Sequence, residues 1–449
     1  MKLPSRFRIR WRIFGFLFGF GFIAYLQQKS ITVAAAPMMP DLGLSQLQIG
    51  WLEQGFAVGY AAFQIPIGIF AERWGARGTL VLMGLVAVAA MIATPLAPSL
   101  FTGSALFVCL VSLQVLLGVS QAATFPVSAG VFQQWFPPNR WALVVGLQTM
   151  GLQLGAAATP PLIASIMHFF GWRSALFWTT LPALGFVACW AWYGRAAPRE
   201  HPAMTPQELA EIGSPDAPNS PDAPKTSHSI TVRQVVRLLG NRNVLLLTAS
   251  YMTMNYVFYL ISNWAFLYLI QERHFSVLES GWLAAIPPLG AALGAGIGGV
   301  LTGMACRRYG ALKGYRGVPL LALPAAGLLL LLIVGAVNAY VAVAGLALCF
   351  GLVELTEGAF WGAAMTVGCN DTMVVTSIMN TGGTMGGIIG IPIVAYLSGH
   401  DHWHTAFLIG AVLAVASASA WFAIDLRSAS AVINDPRELS PASAAVTAA

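Results

Sequence analysis

The sequence predicts an all-α membrane protein of twelve transmembrane helices in two six-helix bundles. Three observations carry that reading. Of 449 residues, 57% are hydrophobic and only 9% charged, against about 25% charged in a soluble domain, so the charged residues are too few to cover a soluble surface. The apolar residues gather in twelve runs of about the 20 residues needed to cross the hydrocarbon core. A polar segment then divides those runs six and six. Within lipid every backbone polar group must be satisfied internally, so each run is expected to be a helix.

The elements follow in order. The first run, 13–37, comes after Arg6, Arg8, Arg10 and Arg12. It is too long for a signal peptide and lacks a small-residue cleavage site, so it is expected to be an uncleaved span. The turn DLGLSQ separates it from 47–70, and the loop GIFAERWGARG, Gly68 to Gly78, separates that from 79–98. Span four, 104–134, ends at FPPNR before 141–168, and FGWRS leads into 174–194. The stretch 195–241 changes composition. Its run PREHPAMTPQELAEIGSPDAPNSPDAPKTSHSI is rich in Pro, Ser, Asp and Ala, which reads as a solvated linker with a short amphipathic helix around TPQELAEI. Spans seven to twelve are expected at 243–270, 279–303, 317–336, 340–366, 374–398 and 405–426. The chain thus divides into a bundle at 1–194, a linker at 195–241, a bundle at 242–427 and a polar, disordered tail at 428–449.

Sidedness follows from the basic residues. Lys2, the N-terminal arginines, Arg73, Arg77, Arg140, the linker with Arg242, the loop holding Arg307, Arg308, Lys313 and Arg316, and the tail lie on one side. These are 20 of the 23 Lys and Arg residues; Arg173 and Arg273 fall opposite and Lys29 lies inside a span. The side with both termini and the linker is therefore expected to be cytoplasmic, in an inner membrane. The net charge of +6 sits in short loops rather than one patch, which gives no nucleic-acid surface. The cysteines Cys109, Cys189, Cys306, Cys349 and Cys369 show neither metal-ligand spacing nor an obvious disulfide pairing. His400, His402 and His404 form a loop cluster without a fourth ligand, so no metal is expected there. No Walker loop, nucleophile elbow or other catalytic motif is present, which argues against a primary pump or a membrane enzyme and implies no cofactor.

Few charges lie at membrane depth, where each costs at least ~2.5 kcal/mol. Lys29 is one, in YLQQKSIT. Glu354 and Glu357 are the others, in FGLVELTEGAFWG, three residues apart and so on one helix face near Trp361. Two carboxyl groups held close in low dielectric are candidates for carrying a proton, and Lys29 is expected to face one of them or the solute. Glu53 is a weaker candidate nearer the far-side water. Asn255 and Tyr259, spaced i,i+4 in span seven, can present an amide and a ring together. Asn263 and Trp264 lie further along the same span.

The loop Gly-x-x-x-Glu72-Arg73-x-Gly75-x-Arg77 resembles the signature loop of the major facilitator superfamily, with Glu72 where that family has Asp. The finer pattern is similar to the anion:cation symporter family, on DLGLSQLQIGWLEQGFAVGYAAFQIPIG, FPVSAGVFQQWFPPNR, FGWRSALF, NYVFYLISNWAFLYLIQERHFSVLESGWLAAIP and SIMNTGGTMGGIIGIPIVAYL. The resemblance implies two pseudo-symmetric bundles rocking about a central site. It also implies substrates that are small organic anions, and import coupled to protons or sodium. Glu72, Arg73 and Arg77 become candidates for a cytoplasmic gate. Tyr60, Gln64, Trp361 and Asn380 match site or near-site positions. The departures are Gln27 and Gln28 where the family carries Asp-Arg after Tyr25, Gln114 and Gln121 where span four carries Arg and Glu, and Gly303 in place of an Asp. Glutamine cannot titrate or hold charge, so the family's usual anion clamp and span-four proton carrier are absent. Gln114 and Gln121, two turns apart, share a face. In that geometry it meets span one, which makes Gln28 and Gln121 candidate solute contacts, with interhelical hydrogen bonding as the plainer role.

The resulting expectation is a secondary transporter, acting as a monomer in the bilayer, that takes up an organic carboxylate with a proton. Transport or export of a neutral, zwitterionic or larger solute is the alternative that the glutamines favour. A non-transporting sensor on the same scaffold is a further one.

Overall fold

The structure is a computed structural model that describes residues 9–205, 208–209, 212, 232–275, 282–400 and 402–426. Lys2, Arg6, Arg8, the middle of the linker with half of TPQELAEI, and the tail lie outside the described residues. The regular elements described are all helical. Ten stretches are long and apolar enough to cross a membrane. Two of them, Pro138–Tyr193 with 56 residues and Ala339–Ser398 with 60, would each run more than ~80 Å at 1.5 Å per residue, far beyond one ~30 Å core. Each folds back on itself, the first at Gly171, φ 76, the second around Cys369, φ 45. That makes twelve crossings.

Span one is Ile9–Leu42, two Gln46–Trp74 and three Ala76–Leu100. Span four is broken into Gly103–Gln121 and Thr124–Trp135. Spans five and six occupy Trp141–Trp178, divided at Gly171, and Thr180–Tyr193. Span seven is Arg242–Gln271, eight Ile286–Tyr309 and nine Ala311–Gly335. Span ten is broken into Ala339–Glu354 and Glu357–Gly368, followed by eleven, Thr372–Ser398, and twelve, Trp403–Ala423. The sequence predicts spans four and ten as continuous, and both carry a break. In span four, Pro126 has no N–H and its ring crowds the carbonyl four residues back, at Ala122, where the helix opens. In span ten the Thr356 hydroxyl takes the Val353 carbonyl, at 2.7 Å, in competition with the backbone ladder. Span one runs past Pro37 and Pro40, longer than its apolar run.

Local signals set the ends. Ser45 and Gln48 form a reciprocal capping box at the start of span two. The side chains of Asn241 and Asn338 accept the first free N–H groups of spans seven and ten. Gly75 and Gly310, with φ 91 and 82, turn the chain from span two into three and from eight into nine, a conformation that a side chain resists.

The packing repeats. Spans one and five, two and four, and three and six pack together in the first half; seven and eleven, eight and ten, and nine and twelve do so in the second. The same small residues mediate both sets. Gly155 sits on the Phe22 carbonyl between spans five and one, as Gly386 sits on Met252 between eleven and seven. Gly118 meets Phe56 between four and two, as Gly294 meets Gly351 between eight and ten. Across the seam span five packs on eight and span two on eleven, two contacts that the same two-fold relation exchanges.

Candidate functional site

The break in span ten places two carboxyl groups on the seam between the halves. Glu354 ends its first segment and Glu357 begins the second, and both are buried. The Glu357 Oε2 accepts from Trp361 Nε1 at 2.7 Å and from the Tyr251 hydroxyl at 3.3 Å. Trp361 in turn stacks on Phe125 of span four, with ring centroids 5.1 Å apart. Glu354 lies within reach of Gln153 of span five, and its Oε2 is buried without a partner. A polar group at such depth is costly unless it is hydrogen-bonded or paired, which marks the unpartnered oxygen as a candidate for function.

Spans one, two, seven and eleven close the site around these carboxyls. Tyr25 lies within electrostatic reach of Tyr60, Tyr259, Glu354 and Glu357. Asn380 Nδ2 donates to the Tyr60 hydroxyl at 3.0 Å, and Gln64 Nε2 donates to Thr384 Oγ1 at 3.0 Å. Both bonds join the halves. Asn255 is buried beside Gly383, but its amide donates to the Tyr251 carbonyl of its own helix at 2.8 Å. Of the residues singled out in the sequence, the structure therefore gathers Tyr60, Tyr259, Glu354, Glu357, Trp361 and Asn380. It adds Tyr25, Phe125, Gln153 and Tyr251. Tyr251 extends the Asn255–Tyr259 stripe back by one turn, a spacing legible in the sequence; Gln153 in an apolar run carried no such signal.

Among the described residues Lys29 is not paired with the carboxyls of span ten, and the carboxylate that acts on it is Glu53 of span two. Glu53 accepts from Thr32 Oγ1 at 2.8 Å. The reason is helical register: Tyr25, Gln28, Lys29 and Thr32 share one face, and Tyr25, one turn earlier, is the residue within electrostatic reach of the carboxyl pair. Lys29 and the half-buried Gln28 stand further out on the same face.

Gln27 and Gln121 turn the other way. Both line a cavity of about 40 Å³ inside the first half, bounded by spans one, three, four and six, with Phe20, Leu80 and Phe186. Gln121 Nε2 donates to the Ala24 carbonyl at 3.1 Å, while Gln27 Nε2 is buried without a partner. Gln121 is thus a strut between spans four and one, not a residue of the seam.

On the basic side the halves are sealed. Glu72 Oε1 accepts from the Met373 N–H at 2.9 Å, capping span eleven from the other half. Gln133 Nε2 donates to the Cys369 carbonyl at 2.6 Å, and Gly146 lies against Ala295 and Gly299. Arg77, expected as a gate residue, instead donates to the Ala191 carbonyl at the end of span six, within its own half, and Arg73 is exposed on the basic face. Away from that face, Thr32 and Asn263, on the faces of Lys29 and Tyr259, are exposed. His400 is turned back on the Tyr396 carbonyl at 2.8 Å.

Comparison with known proteins places this architecture. The probable sulfoacetate transporter SauU of Cupriavidus necator is 28% identical over 426 residues, 94% of this chain and 95% of that one. The probable galactarate/D-glucarate transporter GudP of Escherichia coli is 25% identical over 335 residues, 71% of each chain. The solved proton:xylose symporter XylE has the same fold, with a TM-score of 0.71 at 13% identity over 95% of this chain and 99% of that one. The family model of the Major Facilitator Superfamily matches residues 17–373, and the chain belongs to that superfamily of membrane transporters, not to an enzyme family.

Proposed function

We propose that the protein is a proton-coupled secondary transporter that takes up a small organic anion by alternating access. The observation that carries this reading is the buried Glu354–Glu357 pair at the break of span ten, on the seam that must open and close. A carboxyl group there can hold a proton while the seam is dry and exchange it when water enters. Tyr60, Asn380, Tyr259 and Trp361 supply hydroxyl, amide and ring surface around the same centre. Gln28 and Lys29 stand at its outer rim, where a cation favours an anionic solute. Sulfoacetate, galactarate and D-glucarate, named for the relatives, are all organic anions, which supports that substrate class. In this reading the protein works as a monomer in an inner membrane, with its termini cytoplasmic, residues 1–194 and 242–427 forming the two bundles and 195–241 the link.

One observation favours a second reading. Glu53 stands near Lys29, so the rim has no clear net positive charge, and a neutral or zwitterionic solute fits it as well. Proteoliposome uptake separates the readings. Glu357→Gln abolishes uptake driven by a proton gradient and retains counterflow; both surviving unchanged overturns the coupling assignment. Lys29→Gln raises KM for an anion at least tenfold; a transported solute indifferent to that change is not read as an anion.

A further inference from the structure

The chain carries the pair Arg-Gly twice, Arg77-Gly78 in the first turn of span three and Arg316-Gly317 in the second turn of span nine. Each follows one of the left-handed glycines, Gly75 and Gly310. Each arginine donates to a carbonyl where the last span of its own half ends, Ala191 in the first and Ile424 in the second. Both guanidinium groups are therefore fixed at the basic edge of the membrane, with further N–H donors to offer.

The glycines are the unexplained part. Glycine inside a helix is destabilising relative to alanine, and many glycines here are held close against the backbone of a neighbouring helix. These two are not. A Cβ at Gly78 would come no nearer than 3.4 Å to anything, touching only the Trp74 ring, and one at Gly317 would meet nothing within 4 Å. Each leaves a notch beside a fixed cation on the outer face of its bundle. Beside Gly78 the notch opens into a groove of about 440 Å³ lined by Trp74, Arg77, Val81, Leu82 and Leu85. Trp74, Leu82 and Leu85 are exposed to the lipid side. Leu321, one turn further along span nine from Gly317, is exposed.

A fixed cation at the interface, an aromatic ring at headgroup depth and an apolar trough leading inward match one amphiphile. We propose that the Arg77-Gly78 and Arg316-Gly317 notches seat the phosphate of an anionic phospholipid. One acyl chain lies along Val81 and Leu85. This site is separate from the transport centre and does not depend on its solute.

Native mass spectrometry of the full chain, with phosphatidylglycerol or phosphatidylcholine of equal acyl length, tests it. Phosphatidylglycerol is retained with about fivefold preference per site. Gly78→Leu and Gly317→Leu each remove one preferred lipid with an unchanged melting temperature, and the double variant falls to the phosphatidylcholine level. The two notches read independently, so one folded variant suffices. Equal retention of the two lipids overturns the proposal, as does a preference that survives leucine in a notch. Dimers of wild type that the leucines abolish would also overturn it, by giving the grooves to a second copy of the chain.

Discussion

Replacing Glu72 with alanine should open the basic side of the protein. The Glu72 carboxylate accepts from Met373 N at 2.9 Å, from one half to the first turn of a helix in the other, so the bond exists only while that side is sealed. A hydrogen bond contributes about 0.5–1.5 kcal/mol to an uncharged acceptor and about 1.5–3 kcal/mol to a charged one. Glu72 is half-buried, which places this bond near the boundary of the two ranges, at about 1.5 kcal/mol. At about 1.4 kcal/mol per decade, Glu72→Ala should raise the population open on the basic side by about tenfold. Gln133–Cys369 and the Gly146–Ala295 contact remain, so the seal weakens without vanishing. Cys369 sits in that seal and reports on it. In a chain that keeps Cys369 as its sole cysteine, its alkylation rate by a maleimide scales with the open population. Glu72→Gln, which keeps an acceptor without charge, should give an intermediate rate. An alkylation rate in Glu72→Ala equal to that of the parent would refute the reasoning.

Two more outcomes follow from packing and charge. Gly294→Ala drives a Cβ into the Gly351 backbone between spans eight and ten, whereas Gly15 has nothing within 4 Å. The first should cost about 1–3 kcal/mol and lower the melting temperature; Gly15→Ala should leave it unchanged or raise it. His201, after span six, is buried between Tyr193 and Trp135. Burial, then the Arg195 charge and more weakly that of Arg12, hold its pKa below the usual 6.5, against a smaller opposing effect of Glu208. The docked state thus binds fewer protons than the free one. Docking of residues 196–205 should be complete above about pH 6.5 and weaken as the pH falls through His201's lowered value. Hydrogen exchange of that segment checks it, and His201→Phe should remove the pH dependence.

Much of the fold was legible in the sequence because lipid permits so few solutions. The apolar runs and the polar linker follow from local composition. The breaks in spans four and ten were not read, since hydropathy is blind to a two-residue interruption. Pro126 gave the only local warning, and Thr356 acts through a hydroxyl that has other uses. At the site, the carboxyl pair and Trp361 stood out because charge in an apolar run is costly. Lys29 stood out for the same reason, yet depth alone could not give its direction; the register of Tyr25, Gln28 and Lys29 could. The resemblance groups Gln27, Gln28, Gln114 and Gln121 together, but 100° per residue sends Gln27 into the bundle and Gln28 toward the seam. Gln153 was out of reach, because its role depends on how two distant helices meet.

The duplicated glycine contacts have a consequence for how the protein can change. A chain that repeats its scaffold holds two copies of every structural position, yet chemistry needs only one. Gln121 and Glu354 each end the first segment of a broken helix, one in each half; one braces, the other can titrate. By the register that pairs Phe22 with Met252, Tyr25 stands opposite Asn255 and Lys29 opposite Tyr259. Where the halves agree the molecule keeps its shape, and where they disagree it has room to acquire a new solute.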